Sequence, residues 1–251
     1  MNKKGNGAIN RFLLKKRNIG ILVTKLDCNS DLGQVGSAVK EGAVVLYPTD
    51  TVYGLGSNPF SVKGVLRCIE IKKRDSRKQM PVLVASLEDA AGLVYFNRSA
   101  QLVAKKYWPG KLTIVLPCKN PSLVPELIGE TRTIGVRLPD HVCSKKLIAE
   151  SGGCLVGTSA NISGEPPIND KEDRKLQTLA QNCDYLILGD CGDGKLSSTV
   201  LDLTNEISPS IIRAGAISGD EILDYLANIK SNDLSFRATK RLFRESVEGK
   251  E

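Results

Sequence analysis

A chain of 251 residues with 41% hydrophobic and 25% charged side chains is large enough to bury a core and too apolar to remain disordered. No apolar run approaches the roughly 20 residues of a membrane-spanning helix, and Phe12-Leu13-Leu14 is too short for a signal peptide, so a cytoplasmic protein without membrane attachment is expected. The net charge of +7 is uneven: residues 1–20 carry +6, residues 230–251 carry +2, and the body carries −1. This predicts a basic N-terminal arm (1–20), a single domain (21–229) and a charged C-terminal tail (230–251), with weak attraction of the ends to RNA or acidic partners.

In chain order, apolar segments and turn residues predict alternating strands and helices. A strand is expected at Ile19–Thr24, a helix over about Asp31–Lys40 and a strand at Ala43–Tyr47, closed by Pro48. A helix should start at Ser61 as N-cap and run toward Lys73, with Val62, Val65, Leu66 and Ile69 on one face. Next come a strand at Val82–Ala85, two short helices after Ser86 and Ser99, and strands at Leu112–Leu116 and Thr133–Leu138. Helix His141–Glu150, strand Cys154–Gly157 and a helix near Glu172–Ala180 continue the alternation. Three strands, at Tyr185–Leu188, Thr199–Leu203 and Ile211–Arg213, precede a last helix from Ser218, whose first-turn Asp220 and Glu221 suit the helix dipole. With no repeat and no Pro/Gly-rich linker, the pattern predicts one α/β domain on a mixed sheet.

Seven cysteines without a CxxC, in a chain too large to need stapling, predict reduced and mostly buried thiols. The lone histidine, His141, excludes zinc sites with two or three imidazoles and is the one candidate for any histidine base.

Two motif matches fail on context. Gly189 to Lys195 has GxxxxGK spacing, but Leu196 stands where magnesium binding needs Ser or Thr, and the following SSTVLDL is strand-like where a P-loop opens a helix. Gly157-Thr-Ser159-Ala-Asn161 has Asn where a nucleophile elbow needs Gly.

Other segments combine into one site. Lys72-Lys-Arg74-Asp-Ser-Arg77-Lys78 gathers five cations at a helix end, where Lys72 and Arg74 could grip one polyphosphate from an unwinding turn. Pro48 to Gly56 and Gly157 to Gly164 are hydroxyl-rich loops leaving apolar strands, the usual place for small ligands in α/β proteins. Ser197-Ser198-Thr199, Arg137 and Arg213 add hydroxyls and cations at further strand ends. Such a set, lacking paired carboxylates and a histidine base, suits a phosphate-bearing ligand and catalysis by positioning and charge neutralisation.

YPTDTVYGLG, Lys72-x-Arg74, WPGKLTIVL, GVRLPDH, TSANISG, STVLDL and IIRAGAI, spread over about residues 30–226, resemble the YrdC/TsaC family of L-threonylcarbamoyladenylate synthases. The resemblance implies a twisted mixed sheet with flanking helices and a concave, positively charged cavity. It implies that L-threonine, bicarbonate or CO2, and ATP give threonylcarbamoyl-AMP and pyrophosphate, for threonylcarbamoyladenosine modification of tRNA by a downstream threonylcarbamoyl transferase complex. Carried over by position, the catalytic set is Lys72, Arg74, Ser159 and Asn161; ATP would also meet Lys78, Thr133 and Arg213; threonine would meet Thr51, Arg137 and Ser198. Mg2+ would be held mainly by the phosphates, with no protein ligand. Two positions depart from the family pattern: Gln79, where Pro is usual and a looser loop is expected, and Lys111, where WPGP is usual. The chain ends soon after the catalytic region, resembling the short form, and a carbamoyltransferase would need companion domains. The rival reading is a double-stranded RNA-binding module without catalysis, which predicts cations spread along a face.

Overall fold

The computed structural model describes residues 23–192, 196–229 and 231. The expected basic arm, the start of the first expected strand, Gly194, Lys195 and nearly all of the expected tail lie outside them. In chain order the elements are β1 (Thr24–Asp27), α1 (Gly33–Lys40), β2 (Val45–Tyr47), β3 (Gly54–Gly56), α2 (Val62–Ile71), β4 (Val82–Val84), α3 (Leu87–Leu93), α4 (Arg98–Tyr107) and β5 (Leu112–Pro117). They continue as α5 (Pro125–Ile128), β6 (Thr133–Arg137), α6 (Val142–Glu150), β7 (Cys154–Val156), β8 (Thr158–Ser159), α7 (Arg174–Ala180), β9 (Tyr185–Leu188), β10 (Thr199–Asp202) and β11 (Ser210–Arg213), with α8 over residues 219–229.

Helix starts follow side-chain capping. Ser61 Oγ accepts from Gly64 N at 3.2 Å, Ser86 Oγ from Asp89 N at 3.0 Å and Asn97 Oδ1 from Ala100 N at 2.8 Å, each satisfying a backbone donor left open by the first turn. The cap of α4 is therefore Asn97 and the helix begins at Arg98, two residues before the start expected after Ser99. His141 caps α6: its Nδ1 accepts from Ser144 N, which leaves Nε2 to donate to Asp190 O at 2.9 Å. The lone histidine thus serves the fold.

The strands divide between two mixed sheets where one was expected. One has the order β1-β9-β2-β3-β8 and the other β11-β10-β5-β6-β4-β7. Apolar strands buried on both faces, such as Leu46 in β2 and Val136 in β6, carry no mark of which sheet they join. β3 and β8 fell outside the sequence reading. Gly54-Leu55-Gly56 has no β-branched residue, yet its backbone pairs with β2 and β8 with no side chain at its two glycines to obstruct the approach: a Cβ on Gly56 would lie 2.2 Å from Val156 O. The main core joins residues of both sheets, among them Leu46, Leu55, Ile114, Val136 and Leu186, and a second cluster lies under α1 and α6. Each such side chain contributes about 1.5–3 kcal/mol through burial.

One cysteine expectation is overturned. Cys28 and Cys143 form a disulfide across 115 residues, with Cα atoms 5.2 Å apart, because the end of β1 meets the start of α6. The other cysteines are free, with Cys68, Cys154 and Cys183 buried.

Candidate active site

Thr49, Thr51, Arg74, Arg137, Ser159, Ser198 and Arg213 line one pocket of about 80 Å³ at the ends of strands from both sheets. The loop after β2 is folded by Thr49, whose Oγ1 accepts from Thr51 N at 3.1 Å and Val52 N at 3.3 Å and donates to Val52 O at 2.7 Å. Pairing of Gly54 with Ser159 and the bond from Ala160 N to Tyr53 O, 2.7 Å, bring the second hydroxyl-rich loop alongside. Two segments about a hundred residues apart thus make adjacent walls.

Three guanidinium groups face this space. Arg74 is placed by a sharp exit from α2, where Lys73 adopts φ 48°. Its Nε and Nη2 donate to Lys78 O and Gln79 O at 2.9 and 2.8 Å. Arg213 donates through Nη2 to Ser198 O at 2.6 Å and to Ser198 Oγ at 3.2 Å. Burial lowers both arginines below their ordinary values, and at Arg213 the neighbouring Arg137 and Arg74 add to the effect. Neither is among the arginines paired with a carboxylate in the described residues.

Arg137 differs. Its Nη2 lies 2.5 Å from Asp50 Oδ1 in an ion pair whose side chains are 6% and 7% exposed, while Nε donates to Gly110 O and Nη1 to Thr51 Oγ1. Sequence reasoning missed Asp50, the carboxylate inside PTDT; a strand-end arginine entering a core is the signal that such a partner is needed. Thr113, whose Oγ1 lies 2.8 Å from Ser198 Oγ, was also missed.

Lys72 and Asn161 meet, but not in the pocket. The Lys72 ammonium is buried and donates to Ser159 O, to Asn161 O at 2.8 Å and to Asn161 Oδ1 at 3.2 Å. Ser159 Oγ donates to Asn161 Oδ1 at 2.5 Å. The expected grip of one anion by both Lys72 and Arg74 is thus not the arrangement seen: the left-handed turn at Lys73 sends Arg74 to the pocket and Lys72 under its wall. Lys78 is exposed, and Thr133 Oγ1 pairs with Thr131 Oγ1 at 2.8 Å; both stand beyond the pocket lining. Gln79 does not loosen its loop. Its amide donates to Ile128 O, Thr131 Oγ1 and Thr133 O and ties the segment down.

Burial, with Arg74 nearby, lowers Lys72 from 10.5 to about 8. Between those values the folded state binds fewer protons than the unfolded chain, so stability should rise as pH increases from about 8 to about 10.5. In melting curves across this range, Lys72→Met should flatten the rise, and an unchanged slope would assign it to another group.

A larger cavity of about 850 Å³ lies elsewhere, lined by Arg67, Glu70, Lys73, Asn161, Glu165 and Lys175 among others. Two of its cations are answered by acids, Arg67 by Asp184 at 2.6 Å and Lys175 by Glu165 at 3.7 Å. Chemistry, not size, favours the smaller pocket. Among the described residues no group of three or more His, Cys, Asp or Glu could hold a metal ion, and no helix is long and apolar enough to cross a membrane.

Strand ends from two mixed sheets thus bring three guanidiniums and two hydroxyl-bearing loops to one pocket. Residues 37–215 match the Sua5/YciO/YrdC family model, described as "Telomere recombination"; the chain belongs to this family. It is 35% identical over 198 residues to threonylcarbamoyl-AMP synthase of Bacillus subtilis and 34% identical over 194 residues to that of Pyrococcus abyssi. These matches cover 76% of this chain but only 55% and 56% of the relatives, so the chain spans about half their length. A crystal structure of P. abyssi Sua5 complexed with L-threonine superposes with a TM-score of 0.71 at 30% identity, covering 80% of this chain and 59% of that one.

Proposed function

We propose that this chain condenses L-threonine, bicarbonate or CO2, and ATP into threonylcarbamoyl-AMP and pyrophosphate, as a nucleotidyltransferase. The observation that carries this reading is the convergence of Arg74, Arg137 and Arg213 with Thr51, Ser159 and Ser198 around one pocket, in a chain of this family. The threonine amine and bicarbonate form a carbamate with loss of water; a carbamate oxygen attacks the α-phosphorus, and pyrophosphate leaves. Negative charge grows on phosphate oxygens, and Arg74 and Arg213, with no acid to answer them, supply the compensating charge. No protein nucleophile bonds to substrate.

Arg137 keeps two N–H groups beyond those given to Asp50, Thr51 and Gly110, a pair suited to the threonine carboxylate. Lys72 and Asn161 hold the Ser159 wall in place. Lys78 and Thr133 would be reached by a ligand extending out past Arg74, as a triphosphate does. Magnesium would enter on the phosphates and neutralise part of their charge, since Asp50, the carboxylate held beside the pocket lining among the described residues, is engaged by Arg137. The product would pass to a threonylcarbamoyl transferase complex acting on tRNA, in the cytoplasm. Clustering of these cations in one pocket favours the enzyme over an RNA-binding face.

The test is adduct formation, read by mass, from ATP, bicarbonate and each amino acid in competition. Threonine should be used first. Serine, short of one methyl worth about 1–3 kcal/mol, should be detectable, and valine should stay near background because it leaves a polar contact unpaired. Valine used as well as serine would mean that the pocket reads shape alone; no adduct with any amino acid would refute the reaction.

A further inference from the structure

The Arg74 guanidinium spends one edge on its own chain. Nε donates to Lys78 O at 2.9 Å and Nη2 to Gln79 O at 2.8 Å, so the fork lies on two consecutive carbonyls. The hydrogens that remain, both on Nη1 and one on Nη2, are what Arg74 offers to the pocket it lines. Their direction follows from where the two carbonyls stand.

Those carbonyls end an exposed turn. Residues 75–78 bond locally: Lys78 N donates to Asp75 O at 3.0 Å, and the Arg77 guanidinium meets the Asp75 carboxylate at 2.8 Å in an ion pair open to water. The chain rejoins the core at Met80, which is buried. That one anchor fixes the path of the chain but leaves the Gln79 carbonyl able to turn about it.

The Gln79 side chain is the second anchor. Its Nε2 lies 2.5 Å from Ile128 O, with Thr133 O at 3.2 Å and Thr131 Oγ1 at 3.3 Å. Two of these partners are carbonyls, which only accept, so the nitrogen end of the amide faces them. Gly129 shapes the seat: its φ is 55°, and a Cβ there would lie 2.8 Å from Nε2. The seat is itself fixed, because Thr133 opens β6 and pairs with Pro117 of β5. β6 ends at Arg137. The amide therefore ties the turn that aims Arg74 to the strand that carries Arg137.

We propose that Gln79 is a positioning residue for Arg74: its side-chain amide, seated on the 128–133 turn, fixes the carbonyls that aim the free edge of Arg74 into the pocket and so holds Arg74 in register with Arg137. This rests on the reaction proposed above, in which Arg74 meets phosphate and Arg137 the threonine carboxylate, and adds the residue that keeps the two aligned. Gln79 stands outside the pocket lining and acts through Arg74.

The experiment is a double-mutant cycle. Adduct formation is measured at varied ATP and varied threonine for wild type, Gln79→Met, Arg74→Ala and the double variant, with a melting curve on each sample. Gln79→Met keeps the length of the side chain and removes its donors, so kcat should fall about tenfold through misplacement of the Arg74 charge. KM for threonine should stay within about twofold, since the Arg137 contacts are untouched. With Arg74 already absent there is nothing to aim, and the same substitution should cost about twofold or less. Gln79→Ala, which lets water reach Ile128 O, should give the same cycle and replaces methionine if that variant does not fold. A general loss of structure slows both backgrounds by equal factors, and equal factors would overturn the proposal. So would full activity in both Gln79 variants, a result that leaves the threonine reaction itself standing. Wild type forming no threonine adduct would remove both readings at once.

Discussion

Arg74→Ala should reduce adduct formation by about 10²–10³-fold, the usual loss when one preorganised donor to a developing oxyanion is removed. The charge faces no carboxylate, and the left-handed turn at Lys73 carries Lys72 away from the pocket, so Arg74 is the cation this loop supplies to the ligand. The fold should survive. Lost bonds to Lys78 O and Gln79 O expose carbonyls that water can reach, at a cost of about 1–2 kcal/mol, while Gln79 still anchors the loop. Pyrophosphate release and thermal melting measured on one sample check both halves. Normal turnover in the variant would remove Arg74 from the site.

Asp50→Ala should act mainly on stability, with a loss of about 3–5 kcal/mol, because it strands the buried Arg137 charge. For a chain of this size that corresponds to a fall of roughly 6–20 °C in melting temperature. Pairing Asp50→Leu with Arg137→Met should recover most of the loss without recovering activity, since an apolar pair needs no compensation whereas threonine still needs its cation. A single variant melting at the wild-type temperature would show that Arg137 finds other partners.

Much of this arrangement could be read from residue types. Ser61, Ser86 and His141 marked helix starts because a capping side chain acts on donors two or three residues away, a distance over which sequence is local. Strands at Leu112–Leu116 and Thr133–Leu138 were expected from their apolar residues, and β5 and β6 form there. β3 was not expected, since its pairing depends on what Gly56 lacks and on Val156, a hundred residues further on. The site divides the same way. Thr51, Ser159, Ser198, Arg74, Arg137 and Arg213 were legible as ligand-facing types at strand ends, and the structure gathers them. Whether a charge is free or engaged was not legible: Lys72 is held by Ser159 and Asn161, and Arg137 by Asp50, through contacts 87 to 89 residues apart in the chain. Nor could spacing join Cys28 to Cys143.

The short pairing of β3 with β8 has a consequence for what the pocket can admit. Tyr53 stands at its end: its carbonyl receives Ala160 N at 2.7 Å, its N–H reaches Ile168 O at 2.7 Å, and its hydroxyl donates to Gly189 O at 2.6 Å. Three loops are thereby riveted to one residue, and the gap between the Thr51 and Ser159 walls is set by this backbone ladder together with the side-chain ties of Thr49, Lys72 and Asn161. Such a gap works as a fixed gauge. A ligand longer by one methylene cannot be met by spreading the walls, because either wall moves only when ladder bonds break.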